Sequence, residues 1–192
     1  MFKTAYVRSG GDYFFVTLRN ISESGLCFDA FPGVAVGAEI EFCFDSAEPR
    51  AGVVRWVRDG RFGVQVPDGN LLAAVQPRIR PRAVRLPLAL RARLYIDGER
   101  TEVAVHNLSL RGTCIDHVAG MRIGQLVSLE VGGRCFASAS IRWFNNEKAG
   151  ICFAEPIALH EFREFVEKLQ DIPLRSLHYE QEAGQEIRKT LK

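Results

Sequence analysis

Nowhere does the chain carry 18 consecutive apolar residues, the length a helix needs to cross a bilayer, so no membrane-spanning helix is expected. Its first residues, MFKTAYVRSGG, lack the apolar core of a signal peptide, which points to a cytoplasmic protein. The cysteines Cys27, Cys43, Cys114, Cys135 and Cys152 are odd in number and widely spaced. None forms a CxxC pair, which argues against zinc and for reduced thiols. His106, His117, His160 and His178 show no metal spacing either, so no metal site is expected. There is no GxSxG elbow and no GxxxxGK phosphate loop, so the chain does not read as an enzyme. Lysine is scarce: 5 residues against 20 arginines. Acid is missing altogether from Leu71 to Ile96, and 7 arginines fall between Arg78 and Arg100. The nearly even net charge of +2 places nucleic-acid binding by the Arg78–Arg100 patch last among the readings, so the meaning of the arginines lies in their clustering.

What the chain does have is an internal repeat, the feature to look for first. Displaced by 87 positions, NISESGLCFDAFPGVAVG from Asn20 falls on NLSLRGTCIDHVAGMRIG from Asn107 without a gap. Asn20, Ser22, Gly25, Cys27 and Asp29 meet Asn107, Ser109, Gly112, Cys114 and Asp116. Gly33, Gly37, Arg55, Trp56 and Gly63 meet Gly120, Gly124, Arg142, Trp143 and Gly150. Average composition would give about three such identities over this length, not ten. At 192 residues and 47% hydrophobic, the chain can hold two small domains, each with a core.

Each copy reads as all-β. In the second, LPLALRARLYI alternates apolar and polar residues, Asp97-Gly98 supplies a hairpin signal, and TEVAVHNL returns. TCIDHV, QLVSLEV, CFASASIRWF and AGICFAE complete the set. The first copy repeats the scheme with TAYVR, DYFFVTLRNI, LCFDAF, AEIEFCF, RAGVVRWVR and FGVQV. About six short strands per copy suggest a barrel or a sandwich. Beyond Pro156, Leu159, Phe162, Phe165, Val166 and Leu169 fall on one helical face, predicting a helix on the second barrel that ends by Pro173. The polar tail reads as a weak helix, a partner segment or a disordered end. Cys27 and Cys114 read as small buried hydrophobes, and Trp56 and Trp143 as core or rim packing rather than a base-stacking platform. Arg55 and Arg142 either face outward or brace the neighbouring turn.

Two turns share the pattern N-x-S-x-x-G: Asn20-Ser22-Gly25 and Asn107-Ser109-Gly112. An Asn and a Ser two apart at a strand end face the same way and hydrogen-bond in both senses. The glycine permits positive φ or a close backbone approach. By itself such a turn most often holds its own loop together, and an arginine run is often a solvated linker.

Taken together, the turns, the arginines and the short strands resemble the PilZ domain family, over roughly residues 1–66 and 78–170. That family pairs an RxxxR segment before the first strand with a [DN]xSxxG turn. The resemblance implies an all-β fold of two tandem six-stranded antiparallel barrels, the second with a C-terminal helix. It further implies binding of cyclic di-GMP, as a ligand rather than a cofactor. Arginine suits this partner, since a guanidinium bonds guanine O6 and N7 in parallel and stacks on bases. The implied ligand set is Arg78, Arg80, Arg82, Arg85, Asn107, Ser109, Arg111 and Gly112. Arg78 and Arg82 have the RxxxR spacing; by distance to the first strand, Arg85 is the second motif arginine. The first copy keeps Asn20, Ser22 and Gly25, but only Lys3 and Arg8 precede them, so it is expected not to bind the dinucleotide and to serve protein interaction or dimerisation.

The expected division is a first barrel over 1–70, an arginine-rich linker over 71–85, a second barrel with helix over 86–175, and a tail over 176–192. The leading functional expectation is a cyclic di-GMP receptor whose ligand orders Arg78–Arg85 and reorients the domains. The alternative is an adaptor with two degenerate barrels that binds no nucleotide.

Overall fold

The computed structural model describes residues 3–44, 48–67, 71 and 83–170. The first copy forms β1 (Lys3–Ser9), β2 (Asp12–Ile21), β3 (Gly25–Asp29), β4 (Glu39–Phe44), β5 (Arg50–Arg58) and β6 (Arg61–Gln65). The second forms β7 (Leu86–Ile96), β8 (Glu99–Ser109), β9 (Gly112–Asp116), β10 (Leu126–Val131), β11 (Arg134–Phe144) and β12 (Lys148–Cys152), followed by helix α1 (Leu159–Gln170). Each set closes into an antiparallel barrel, in the orders β1-β2-β3-β6-β5-β4 and β10-β11-β12-β9-β8-β7. These are one order read in two directions, so the repeat in sequence is a repeat in topology. Closure decides between barrel and sandwich and removes the exposed edges an open sheet would leave.

Strand alternation fills each barrel. Val7, Val16, Leu18, Phe28, Phe42 and Phe62 point into the first, and Leu94, Val105, Ile115, Leu129, Ile141 and Ile151 into the second. The β7–β8 hairpin turns at Asp97 and Gly98, with φ of 50° and 86°. Positive φ at both central residues is what a type I′ turn requires, which explains the Asp-Gly pair.

The alternation is broken at matching places. Val54 pairs with Val64 and Trp56 with Gly63, leaving Arg55 as an extra residue on β5. Ile141 pairs with Ile151 and Trp143 with Gly150, leaving Arg142 extra on β11. Bulges at Arg19 on β2 and His106 on β8 match in the same way. A bulge sets two residues against one and re-aims their side chains. Each of the latter two meets an aspartate. Arg19 is paired with Asp29 at 2.6 Å, and His106 with Asp116 at 2.8 Å.

Helix α1 lies on the second barrel, as its apolar stripe predicts, and also grips the first. Phe165 and Leu169 pack over Gly132 in the β10–β11 turn, where a side chain at 132 would collide with Leu169. Arg134 pairs with Glu161 at 2.9 Å. On the other side, Phe162 meets Phe15 edge-on at 4.7 Å. The Gln170 amide accepts from the Tyr13 N–H and donates to the Tyr13 carbonyl. Arg163 donates to Thr17. Tyr13, Phe15 and Thr17 are alternate residues on the outer face of β2, and Tyr6 and Cys43 beside them are buried. Burial pushes the Tyr6 phenol far above its ordinary pKa. The helix is therefore shared between the barrels. The expected stop at Pro173 lies outside the described residues.

Candidate functional site

The N-x-S-x-x-G turns join β2 to β3 and β8 to β9. In both, the serine holds the turn closed: Ser22 Oγ donates to the Gly25 carbonyl at 3.1 Å, and Ser109 Oγ to that of Gly112 at 3.0 Å. Ser109 Oγ also accepts from the Arg111 N–H. The glycine is needed for proximity rather than for φ. A Cβ on Gly112 would sit 2.1 Å from the Ile151 carbonyl oxygen on β12. The chain leaving each barrel is tied back to its turn. Phe153 and Ile157 donate to the carbonyls of Arg111 and Leu110 at 3.0 and 2.8 Å, and Val66 and Leu71 donate to those of Ser24 and Glu23. In the second copy this strap leads straight into α1.

Beside each turn lies a cleft with matching walls. The second, of about 620 Å³, is lined by residues that include Arg85, Asn107, Ser109, Arg111, Gly112, Cys114, Arg142, Trp143, Gly150 and Cys152. The first, of about 300 Å³, presents Asn20, Ser22, Ser24, Gly25, Cys27, Arg55, Trp56, Gly63 and Gln65 at the equivalent places. Five of the eight residues expected in the ligand set, Arg85, Asn107, Ser109, Arg111 and Gly112, are thus brought together. Arg78, Arg80 and Arg82 lie outside the described residues. Arg85 reaches the cleft because Val84 and Leu86 on either side are buried at 5% and 0% exposure, so the extended chain turns residue 85 outward.

Two wall residues, Arg142 and Trp143, were not in the expected ligand set. Neighbours on a regular strand face opposite ways, and only the bulge lets both line one cleft. The 87-residue match of Arg55-Trp56 with Arg142-Trp143 was the available signal. Each tryptophan lies against a glycine: a Cβ on Gly63 or Gly150 would fall 2.0 Å from the indole nitrogen. Trp143 is at the rim, 39% exposed.

The clefts differ in charge. The second collects three guanidiniums, from Arg85, Arg111 and Arg142, with no carboxylate among its lining residues. The first has only Arg55, whose Nε donates to Gln65 Oε1 at 2.6 Å. Cys114, at the floor of the second cleft, is buried, and desolvation holds its thiol above the ordinary pKa although Lys148 and Arg85 pull it down. Cys27, its counterpart, is only half-buried. At the far end of β9, burial would raise Asp116, but the Ala104 N–H and His106 outweigh it and the carboxyl lies below its ordinary range. Among the described residues no cluster of His, Cys, Asp and Glu could hold a metal ion, and no helix is long and apolar enough to cross a membrane.

Two closed barrels, each with an N-x-S-x-x-G turn on the rim of a cleft, define a tandem binding module. The PilZ domain model matches residues 3–74 and 79–171, and the chain belongs to that family. No curated protein matches it. Similar solved structures include YcgR from Escherichia coli in complex with c-di-GMP, at 17% identity, TM-score 0.37, covering 98% of this chain and 88% of that one. MotI/DgrA, the inhibitor of motility of Bacillus subtilis, gives 13% identity and TM-score 0.38 over 92% and 97%. PlzA from Borreliella burgdorferi, in complex with c-di-GMP, gives 12% and 0.36 over 87% and 86%.

Proposed function

We propose that the protein is a cyclic di-GMP receptor that takes its ligand in the second-barrel cleft. The observation that carries this is the set of three guanidiniums, with no acid among them, around the larger cleft beside Asn107. Two phosphates and two guanines suit arginine, through paired hydrogen bonds and stacking. Arg78, Arg80 and Arg82 come from the preceding segment and close over the nucleotide. Arg85 and Arg111 flank it, Asn107 offers its amide, and Ser109 and Gly112 shape the turn. No catalytic role is assigned to any of them.

The proposed division is 1–70, 71–85, 86–175 and 176–192, with the first barrel as a protein-interaction or dimerisation module that does not bind the dinucleotide, in a cytoplasmic protein. Ligand seated on the Arg111 turn acts on the strap into α1, and α1 touches both barrels. The ordering of Arg78–Arg85 acts on the linker that joins the barrels. Reorientation can draw only on the difference in affinity between the two arrangements.

Calorimetry of the full chain against cyclic di-GMP tests the reading. Binding is expected, with Arg85→Ala and Arg111→Ala each weakening it by about 1–3 kcal/mol, and with cyclic di-AMP binding far less. Absence of heat at micromolar ligand would refute it and leave the adaptor reading, whose partners dock on the first barrel or tail, or which pairs two copies of the chain. A steep salt dependence without preference for the dinucleotide would point instead to nucleic acid.

A further inference from the structure

The two clefts are built from the same residue positions, yet the first is half the size of the second. Two side-chain contacts of the first copy are absent from the second. Arg55, on its bulge, is held by Gln65 at 2.6 Å, and the guanidinium of Arg58 lies 5.0 Å from the centre of the Trp56 ring. Adding 87 gives the counterparts. Cys152 replaces Gln65, and Asn145 replaces Arg58. The register is unchanged, for Val53 pairs with Gln65 as Ser140 pairs with Cys152. A thiol cannot reach and bond a guanidinium as an amide oxygen does. Asn145 instead turns its Oδ1 to the N–H groups of Glu147 and Lys148. Arg142 is left exposed at the cleft wall, and no hydrogen bond or ion pair engages its side chain among the described residues.

We infer that residue 152 sets whether the bulge arginine is latched. Gln65 holds Arg55 at the wall of the first cleft; Cys152 leaves Arg142 to contact the anionic dinucleotide together with Arg85, Asn107 and Arg111. This rests on the proposed function for its ligand, but the latch itself does not.

Two measurements separate the two. In nitrogen-15 spectra of the full chain, the Arg55 Nε–H is expected to be protected from exchange and to lose protection in Gln65→Ala. The Arg142 Nε–H is expected to be unprotected in the parent and protected in Cys152→Gln. An unprotected Arg142 in Cys152→Gln overturns the latch whether or not any nucleotide binds. In titration with cyclic di-GMP, Arg142→Ala and Cys152→Gln are each expected to weaken binding about tenfold. The double variant is expected to match Arg142→Ala alone, because the glutamine acts through the arginine. A full further loss in the double variant would show that the glutamine obstructs the cleft by itself, and parental affinity in Arg142→Ala would remove the arginine from the site. Failure of the parent to bind would sink the proposed function, with the spectra still deciding the latch.

Discussion

Replacing Phe162 with alanine should uncouple the two barrels. The ring is fully buried, and it meets Phe15 across the join between α1 and the first barrel. A buried Phe→Ala change costs about 3–5 kcal/mol, of which the aromatic pair accounts for about 0.5–1.5. The chain supplies its own reporters, since its only two tryptophans, Trp56 and Trp143, sit one in each barrel. Trp143→Phe leaves emission from the first barrel alone, and Trp56→Phe from the second. In urea, the two single-tryptophan proteins are expected to unfold with coincident midpoints, as one cooperative unit does. Phe162→Ala should lower the midpoints by on the order of 1 M or more, since the slope is about 1–3 kcal/mol per molar, and should also separate the two curves. Curves that still coincide after the substitution would refute the claim that this ring couples the barrels. Midpoints that do not move would refute its burial.

Gln170→Ala removes two hydrogen bonds to the Tyr13 main chain; a loss of about 1–3 kcal/mol is expected, read in both the Trp56 and the Trp143 curve. Gly112→Ala drives a methyl group into the Ile151 carbonyl, so the Trp143 and Trp56 curves should fall together by about 1–3 kcal/mol. Acid should weaken the first barrel through Asp29, whose carboxyl is held below its ordinary pKa by hydrogen bonds from Arg19. Its folded value lies below the unfolded one, so its contribution is complete above about pH 3.9 and fades as pH falls through the folded value. Arg19→Met should flatten that part of the stability profile, read from Trp56 emission between pH 6 and 2; an unchanged slope would exclude the pair as its source.

The repeat, the strands and the helix stripe were legible because they rest on local periodicity and on spacing along the chain. The turn glycine was legible as a requirement, but not which of its two uses applied; the answer depends on β12 passing close by, a contact between residues 39 positions apart. The double duty of α1 was harder to see. Its signal was DYFFVTL on β2, where aromatic residues stand on consecutive positions and alternation fails. Such a run shows that both strand faces are covered, without saying by what. Arg142 was missed because alternation would set it apart from its neighbour Trp143, and bulges leave little trace in one sequence. The matching Arg-Trp pair in each copy was that trace.

The aromatic flank of the first barrel has a consequence for anyone who cuts the gene. Severed before Leu159, the remaining two barrels would keep their interiors but bare Tyr6, Tyr13 and Phe15 of the first to water in one contiguous stripe. A stripe of that kind seeks another surface, so such a fragment would self-associate. The dimer it formed would be an artefact of the scissors rather than a property of the intact molecule.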